Sequence, residues 1–345
     1  MTPTSAPSAL ATVRIGNGRR AAWLLGLMLA LALLCGLSVA IGSRWVSWSD
    51  IVGALLGDDS TMGQAAVLLR LPRTALAVMA GAALGLAGAV MQGVTRNPLA
   101  DPGLMRVNTG AALAVVIGVA WFNMASTGAF VWVAIAGAGG AAALVYAMGS
   151  LGRGGATPLK LALAGAATSI ALNSFALAVI LPRNDIAGGL RSWQVGGVGG
   201  ASADRILPVL PYLAIGMAIC LLSARRLNSL ALGDDLAAGL GERVALTRAL
   251  AALGAILLCG ATTAACGPIG FVGLVVPHFC RLLFGSDHRW LLPFSAVGGA
   301  ALLLFADILG RIIARPAELD VGILTAFIGA PVFVWIVRRH RLREL

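Results

Sequence analysis

Residues 71–102 read LPRTALAVMAGAALGLAGAVMQGVTRNPLADP, and this stretch decides the fold class. From Leu71 to Val94 it is mostly apolar and long enough to cross a bilayer as a helix, which takes about 20 residues. Its glycines recur at helical spacing, which lets helix backbones approach closely. Pro98 and Pro102 then interrupt the helix, because each proline removes a backbone donor and restricts the preceding residue. The stretch therefore predicts a closely packed transmembrane helix followed by an irregular polar turn.

The composition of the whole chain predicts the same environment. Of its 345 residues, 59% are hydrophobic and only 11% are charged, whereas soluble domains carry about 25% charged residues. This excludes a soluble globular protein. The net charge of +11 comes from arginines scattered between apolar runs, without aromatic platforms, so no nucleic-acid partner is expected. The single lysine, Lys160, is not part of a Walker A motif, so the chain has no P-loop with which to hydrolyse ATP.

The sequence predicts an all-α, polytopic membrane protein with about ten transmembrane helices. The apolar segments that could span are 21–42, 71–94, 106–123, 128–149, 159–181, 206–224, 245–266, 272–284, 290–313 and 321–337. Arginines are more frequent in the inner loops when the amino terminus is inside, which places both termini in the cytoplasm. On this basis 1–20 is a cytoplasmic tail, 21–337 is the transmembrane domain and 338–345 is a basic cytoplasmic tail.

A weak internal duplication is also visible. Two stretches, Leu71–Pro102 and Leu246–Pro277, each run from an arginine-bearing helix start through small residues into a segment broken by Gly and Pro. They cross the membrane in opposite directions in the predicted topology. Inverted repeats of this kind are common in transporters.

Two polar segments lie outside the predicted spans. Trp48–Leu56 has an amphipathic pattern and is expected to lie on the outer surface as a short helix, with Ser49 as its N-cap. The longest polar stretch on the inner side is 225–243, RRLNSLALGDDLAAGLGER, which predicts two short helices separated at Gly233-Asp234. A soluble partner could dock there, and a solvated loop is the alternative.

Asn97, Pro98, Asp101 and Pro102 form a polar turn at a predicted membrane boundary. An irregular backbone is tolerated there only where protein or water covers it. We therefore expect this turn to line an inner vestibule or to contact a partner.

No catalytic or metal-binding group is visible in the sequence. The five cysteines lie in apolar stretches without a C-x-x-C pair and are interpreted as packing residues, so no metal or other cofactor is expected. Asp307 and Arg311 are four positions apart and should pair on one helix face. No isolated carboxylate lies deep in a predicted span, as a proton relay would require. The sequence thus favours a transporter that is not an enzyme, with an ion-coupled secondary transporter as the alternative class.

These motifs stand in an order and spacing that resembles the permease family of ABC importers for ferric siderophores, haem and vitamin B12. The matching motifs are Arg70-Leu-Pro-Arg73, Gly81-Ala-Ala-Leu-Gly85, Met91-Gln92, Arg96–Pro102, Leu230–Gly233, Gly267–Gly273, Val276-Pro-His278, Asp287-His-Arg289, Ala306-Asp307 and Gly329-Ala-Pro331. The resemblance implies a ten-helix permease in the inner cell membrane that pairs with a second permease subunit, identical or different. It also implies cytoplasmic ATP-binding subunits and an external substrate-binding protein.

The resemblance implies roles for particular residues as well. Arg70, Arg73 and Arg311 correspond to outer arginines that receive glutamates from the binding protein. The residues that correspond to the ATPase-coupling helices are Leu230, Leu232, Gly233, Asp234, Asp235, Leu236, Leu240 and Gly241. The pattern LRSWQVGG at 190–197 looks most like ferric catecholate permeases, so a ferric siderophore is the expected substrate, with haem and cobalamin as alternatives.

Overall fold

The computed structural model describes residues 16–42, 44–98, 100–101, 107–124, 126–151 and 158–341, and within them every regular element is a helix. This confirms the all-α prediction for the described part of the chain. The helices are α1 (Asn17–Ala40), α2 (Trp48–Leu55), α3 (Met62–Thr95), α4 (Val107–Phe122), α5 (Thr127–Ser150), α6 (Pro158–Ile180), α7 (Asn184–Val195), α8 (Ala203–Ile206), α9 (Leu210–Leu222), α10 (Ala224–Ala231), α11 (Asp234–Gly239), α12 (Val244–Cys266), α13 (Val272–Phe284), α14 (His288–Ile313) and α15 (Val321–Arg341).

A helix occupies each of the ten segments that the sequence predicts to span. Among the described residues, α1, α3, α5, α6, α12 and α14 are long and apolar enough to cross a membrane. A seventh span results if α9 and α10, which are bent by 45° at their junction, are taken together. The helices α4, α13 and α15 are shorter apolar helices. The chain is therefore a multi-pass membrane protein, and the number of ten crossings stays a prediction.

Capping boxes begin two helices; α2 starts at the predicted Trp48 but has a different N-cap, and α3 starts earlier than predicted. Ser47, and not Ser49, caps α2, because its side chain accepts the backbone N–H of Asp50 while the Asp50 carboxylate accepts the N–H of Ser47. Thr61 and Gln64 form the same reciprocal pair at the start of α3. Each box satisfies two backbone donors that a helix leaves without partners. As a result α3 begins well before the apolar run that predicts it.

Helices α3 and α14 form the centre of the molecule and pack on each other more extensively than any other pair of described helices. A Cβ atom on Gly81 or Gly85 would overlap the backbone carbonyl of Gly299 or Ser295, respectively. The glycines therefore allow the two backbones to touch, which confirms the close packing that the small residues predict. Helices α12 and α13 also pack on α3, and α4, α5 and α9 contact α12 from outside.

The irregular segments that follow α3 and α12 lie side by side. Phe271 has a left-handed backbone with φ of 68° and directly precedes α13. Asn108, at the start of α4, donates from Nδ2 to the carbonyl oxygen of Ile269 at 3.0 Å. A Cβ atom on Gly273 would lie 2.8 Å from Oδ1 of Asp101. Two breaks that are far apart in sequence thus meet in the interior.

Candidate functional site

The first candidate site is a charge cluster on the face that the predicted topology places outside. We name it the outer charge cluster and define it as Arg70, Arg73, Asp307, Arg311 and Glu318. It joins α1, α3 and α14 to the loop between α14 and α15. Asp307 lies at its centre and forms ion pairs of 2.8 Å with both Arg73 and Arg311. The predicted pairing of Asp307 with Arg311 is confirmed. The sequence does not predict that Arg73 shares the same carboxylate.

Arg311 is a buried residue that fastens the end of α1 to α14. Only 1% of it is exposed. Its Nη1 donates to the carbonyl oxygens of Ser38 and Ile41 at 2.8 and 3.0 Å, and its Nη2 donates to Oγ of Ser38 at 2.6 Å. In this conformation the guanidinium of Arg311 is not presented on the surface of the chain.

Arg70 caps the carboxyl end of α1. Its Nη1 donates to the carbonyl oxygens of Val39 and Ala40, both at 2.9 Å, and its Nη2 donates to that of Arg44 at 2.8 Å. The last carbonyls of a helix lack partners within the helix, and a cation there is favoured by the helix dipole. Arg70 is 7% exposed, so its guanidinium, like that of Arg311, binds groups within the chain.

Arg73 differs from the other two arginines because one of its partners lies at the surface. Its Nε and Nη2 donate to the carboxylate of Asp307, both to Oδ1, at 3.0 and 2.8 Å. Its Nη1 donates to Oε2 of Glu318, whose side chain is 35% exposed. A carboxylate from a partner protein that approaches Arg73 would therefore meet Glu318 first.

The second candidate site is the coupling segment, which we define as residues 225–243. Leu232, Leu236 and Leu240 are 58%, 63% and 66% exposed. Leu230 is also in the predicted coupling set, but it is a fully buried residue of α10. In the predicted coupling set, Leu230 is thus buried, and Leu232, Leu236 and Leu240 are exposed. We call these three exposed leucines the outer apolar row.

Two glycines separate the short helices of the coupling segment. Gly233 has φ of 110° and Gly241 has φ of 86°, values that side chains rarely tolerate. Gly233 lies between α10 and α11, which confirms the predicted separation at Gly233-Asp234. Gly241 lies between α11 and α12. Both predicted glycines therefore shape the segment.

The two aspartates after Gly233 have different surroundings. Oδ1 of Asp234 pairs with Arg96 at 3.0 Å, just after α3, and with Arg248 at 2.8 Å, in the second turn of α12. Asp235 is exposed. Asp234 therefore ties the coupling segment to the body of the protein, and Asp235 lies beside the outer apolar row.

The predicted vestibule turn begins where α3 ends. Arg96 adopts a left-handed conformation there with φ of 51°, and the N–H of Asn97 donates to the carbonyl of Gln92 at 3.2 Å. From this turn, which includes Pro98, the chain reaches Asp101 beside the start of α13. Pro102 lies outside the described residues, and the vestibule role of the whole set stays a prediction.

The cysteines and other metal-ligand residues do not form a site in the described part of the chain. No three His, Cys, Asp or Glu side chains there are grouped to hold a metal ion. The four cysteines that follow α8, namely Cys220, Cys259, Cys266 and Cys280, are buried free thiols. Their positions agree with the predicted packing role.

Comparison with known proteins places this geometry in a family. Residues 29–339 match the FecCD transport family. The chain is 45% identical over 315 residues to the ferric enterobactin transport system permease protein FepD of Escherichia coli strain K12, which covers 91% of this chain and 94% of FepD. It is 40% identical over 321 residues to the iron(3+)-hydroxamate import system permease protein FhuB of Bacillus subtilis strain 168, which covers 91% of this chain and 83% of FhuB.

A solved ABC transporter in an inward-facing conformation shares the fold. Its TM-score is 0.78 at 29% sequence identity, and the match covers 92% of this chain and 99% of that one. The three matched proteins are components of transport systems, which confirms the prediction of a transport permease that is not an enzyme. Because the family match extends over nearly the whole sequence, the chain belongs to the FecCD transport family.

Proposed function

We propose that this chain is the permease subunit of an ABC importer that carries a ferric siderophore across the inner cell membrane. In this assignment it forms the translocation pathway with a second permease subunit, identical or different. A periplasmic or lipid-anchored binding protein delivers the substrate, and separate cytoplasmic ATP-binding subunits drive transport. The membership of the FecCD transport family supports the transporter class.

The observation that carries the proposal is the outer apolar row of the coupling segment. Leu232, Leu236 and Leu240 are exposed within a segment that also contains six charged arginine and acidic side chains at its ends and centre, so it does not lie in lipid. Apolar area removed from water contributes about 25 cal/mol per Å². A groove on an ATP-binding subunit would bury these leucines, and a basic rim would face Asp235.

The position of the coupling segment sets the proposed topology. If it is cytoplasmic, the outer charge cluster lies on the opposite side, and both termini are cytoplasmic with ten crossings. The two stretches that end in the adjoining breaks would then be inverted repeats. The exposed apolar residues Leu163 and Ile170 of α6, and Phe327 of α15, are available to lipid or to the second permease subunit.

We place the binding protein over the outer charge cluster. Arg73, paired with the half-exposed Glu318, is the member that an acidic group could reach. Arg70 and Arg311 hold the same surface from beneath, through the end of α1. The geometry therefore favours a direct role for one of the three predicted arginines and a supporting role for the other two.

A ferric siderophore is the proposed substrate because of the relatives and of one motif. FepD is a ferric enterobactin permease and FhuB an iron-hydroxamate permease, and both names describe ferric chelates. The sequence LRSWQVGG at 190–197, which includes the end of α7, resembles that of ferric catecholate permeases.

Reconstitution tests the proposed function. The permease, the ATP-binding subunits and the binding protein are placed in liposomes, and uptake of ⁵⁵Fe-labelled ferric enterobactin is measured. We expect uptake that requires ATP and the binding protein and that an excess of unlabelled ferric siderophore suppresses. If haem or cobalamin suppresses the uptake instead, the assignment of a ferric siderophore as the substrate is wrong. Uptake that follows a proton or sodium gradient without ATP would overturn the transporter class.

A further inference from the structure

The coupling segment is attached to α14 through one side chain, Asn228 of α10. Nδ2 of Asn228 donates to Oδ1 of Asp287 at 2.7 Å. Oδ1 of Asn228 accepts the backbone N–H of His288 at 2.9 Å, and it lies 2.8 Å from Nδ1 of His288. Both ends of one amide are therefore bound to the first residues of α14. We call this group of three side chains the α14 clamp.

The α14 clamp is integrated into the start of α14 and its surroundings. Asp287 is the N-cap of α14, since Oδ1 also accepts the N–H of Arg289 at 3.0 Å. Burial acts to raise the pKa of Asp287, but the hydrogen bonds from Asn228 and Arg289, together with the charges of Arg289 and Arg20, hold that pKa below its usual range. His288 is 5% exposed, and a Cβ atom on Gly93 of α3 would lie 2.7 Å from its Nε2. The clamp thus leaves little room for α10 to move without α14.

The other end of α14 lies in the outer charge cluster. The helix is continuous over 26 residues, which corresponds to about 39 Å at 1.5 Å per residue. Asp307 and Arg311 stand near its last turn and bind Arg73 and the end of α1. Close packing on α3 supports α14 between the two ends. Pro293 lies in the second turn of α14, but the helix is unbroken, so a displacement at the clamp has one continuous element through which to reach the outer charge cluster.

A second attachment of the coupling segment leads elsewhere. Asp234 binds Arg96 and Arg248, which belong to the ends of α3 and α12, and the side chains of this group are 33–43% exposed. An exposed ion pair contributes little and yields easily. In the α14 clamp Asp287 is 34% exposed as well, but His288 is buried, and of the two connections the clamp alone reaches the helix that carries Asp307.

We propose that Asn228 is the positioning residue that links the coupling segment to the outer charge cluster through α14. The inference rests on the proposed function, since it assigns to Asn228 the transmission of nucleotide-driven movement of the ATP-binding subunits to the face that holds the binding protein. Linkage between two such sites is reciprocal. Binding of nucleotide inside must therefore change the affinity for the binding protein outside, and this change depends on the clamp.

A charge swap at the clamp tests the inference. Asn228→Asp places two carboxylates at hydrogen-bond distance, and Asp287→Asn places two amides there. The double variant restores one amide opposite one carboxylate, and its carboxylate at position 228 can still accept the N–H of His288. The complex in lipid nanodiscs is titrated with labelled binding protein, with and without a non-hydrolysable ATP analogue. Linkages between sites commonly amount to about 5-fold to 150-fold in affinity.

We expect the analogue to change the affinity of the wild-type complex at least about fivefold, and that of Asn228→Asp less than about twofold. The double variant should recover the wild-type change. Asn228→Ala, which adds no repulsion, should also lose the linkage if Asn228→Asp does not assemble. Ser229→Ala, at the neighbouring position, is the matched control and should keep it.

The outcomes separate the inference from the proposed function. Full linkage in both Asn228→Asp and Asn228→Ala overturns the role of Asn228, and so does a double variant that stays uncoupled while Asp287→Asn is coupled. If the wild-type chain binds no ATP-binding subunit, or if nucleotide never alters its affinity for the binding protein, the proposed function or its coupling mode is overturned instead.

Discussion

The outer charge cluster and the coupling segment differ in the exposure of the residues that do not match their surroundings. In the cluster, arginines lie at the end of apolar helices and turn inward, so that Arg311 is only 1% exposed. In the coupling segment, the three leucines of the outer apolar row lie among polar residues and turn outward, so that Leu240 is 66% exposed. A charge in apolar surroundings must find a partner within the chain. A leucine in water has no such partner, and the fold leaves it available to another protein.

The largest expected effect is the loss of stability in Asp307→Asn. This change removes the carboxylate that Arg73 and Arg311 share. Breaking a buried ion pair by removal of one partner costs about 3–5 kcal/mol. The free energy of unfolding, measured by denaturant titration of the detergent-solubilised permease, should fall by that amount. Glu318→Gln is the matched control, because its carboxylate is partly exposed. Equal losses in the two variants would contradict the buried pairing.

The next effect concerns the coupling segment, where Leu232→Asp should prevent docking of the ATP-binding subunit while insertion in the membrane is unchanged. Full burial of a leucine contributes about 1.5–3 kcal/mol. Because 58% of Leu232 is exposed before docking, even Leu232→Ala should weaken binding about 4-fold to 20-fold. The effect is measured by co-purification of the ATP-binding subunit with the permease and by the ATP hydrolysis that accompanies transport. Arg226→Ala, an exposed polar neighbour, should change both far less. Normal co-purification and uptake in Leu232→Asp would refute docking by the apolar row.

A smaller effect is expected from Asp234→Asn, which breaks ion pairs in the coupling segment. These are also Arg–Asp pairs, but they are more exposed than those of the outer charge cluster. The side chains of Asp234 and Arg248 are 43% and 33% exposed, and exposed pairs contribute about 0.2–1 kcal/mol. A double-mutant cycle with Arg248→Gln should give a coupling energy in that range. A value similar to the loss in Asp307→Asn would show that exposure does not distinguish the two regions.

The smallest effect is expected from Glu318→Gln on the docking of the binding protein. Arg73→Glu would not separate docking from folding, because it also removes a partner of Asp307. Glu318→Gln leaves that pair in place and removes the negative charge beside Nη1 of Arg73. We expect association of the binding protein to become about twofold to threefold faster at low salt, since charges at an interface rim act mainly on encounter. Raised ionic strength should abolish the difference. A slower association would argue that Glu318 assists docking.

Much of the architecture could be predicted from the sequence. Apolar runs predict where each long helix lies, and the glycines of α3 predict that another helix packs closely on it, because the spacing of small residues is a local property. That this helix is α14 is seen only in the structure. The predicted break at Gly233-Asp234 also follows from local chemistry. The N-cap of α2 could not be predicted as well. Ser47 and Ser49 are both suitable caps, and only the backbone geometry shows that Ser47 forms the reciprocal pair with Asp50.

The partners of the site residues could not be predicted in the same way. Asp307 meets Arg311 four positions away as expected, but it also meets Arg73 from a helix that is 234 positions distant. Asn228 and Asp287 are 59 positions apart and carry no shared periodicity. Glu318, in a short loop, gives no signal of its own in the sequence. These residues emerge only when the helices that carry them are packed together.

The sequence by itself determined that this is an all-α membrane protein, where its helices break, which inner segment carries leucines among polar residues, and which family it resembles. Those features depend on composition and on spacing within a few helical turns. Only the tertiary structure decided that Arg70 and Arg311 are used within the chain and that Leu230 is covered while Leu232 is exposed. The physical reason is that the burial and pairing of a side chain depend on which distant segments surround it, and a local pattern does not contain that information.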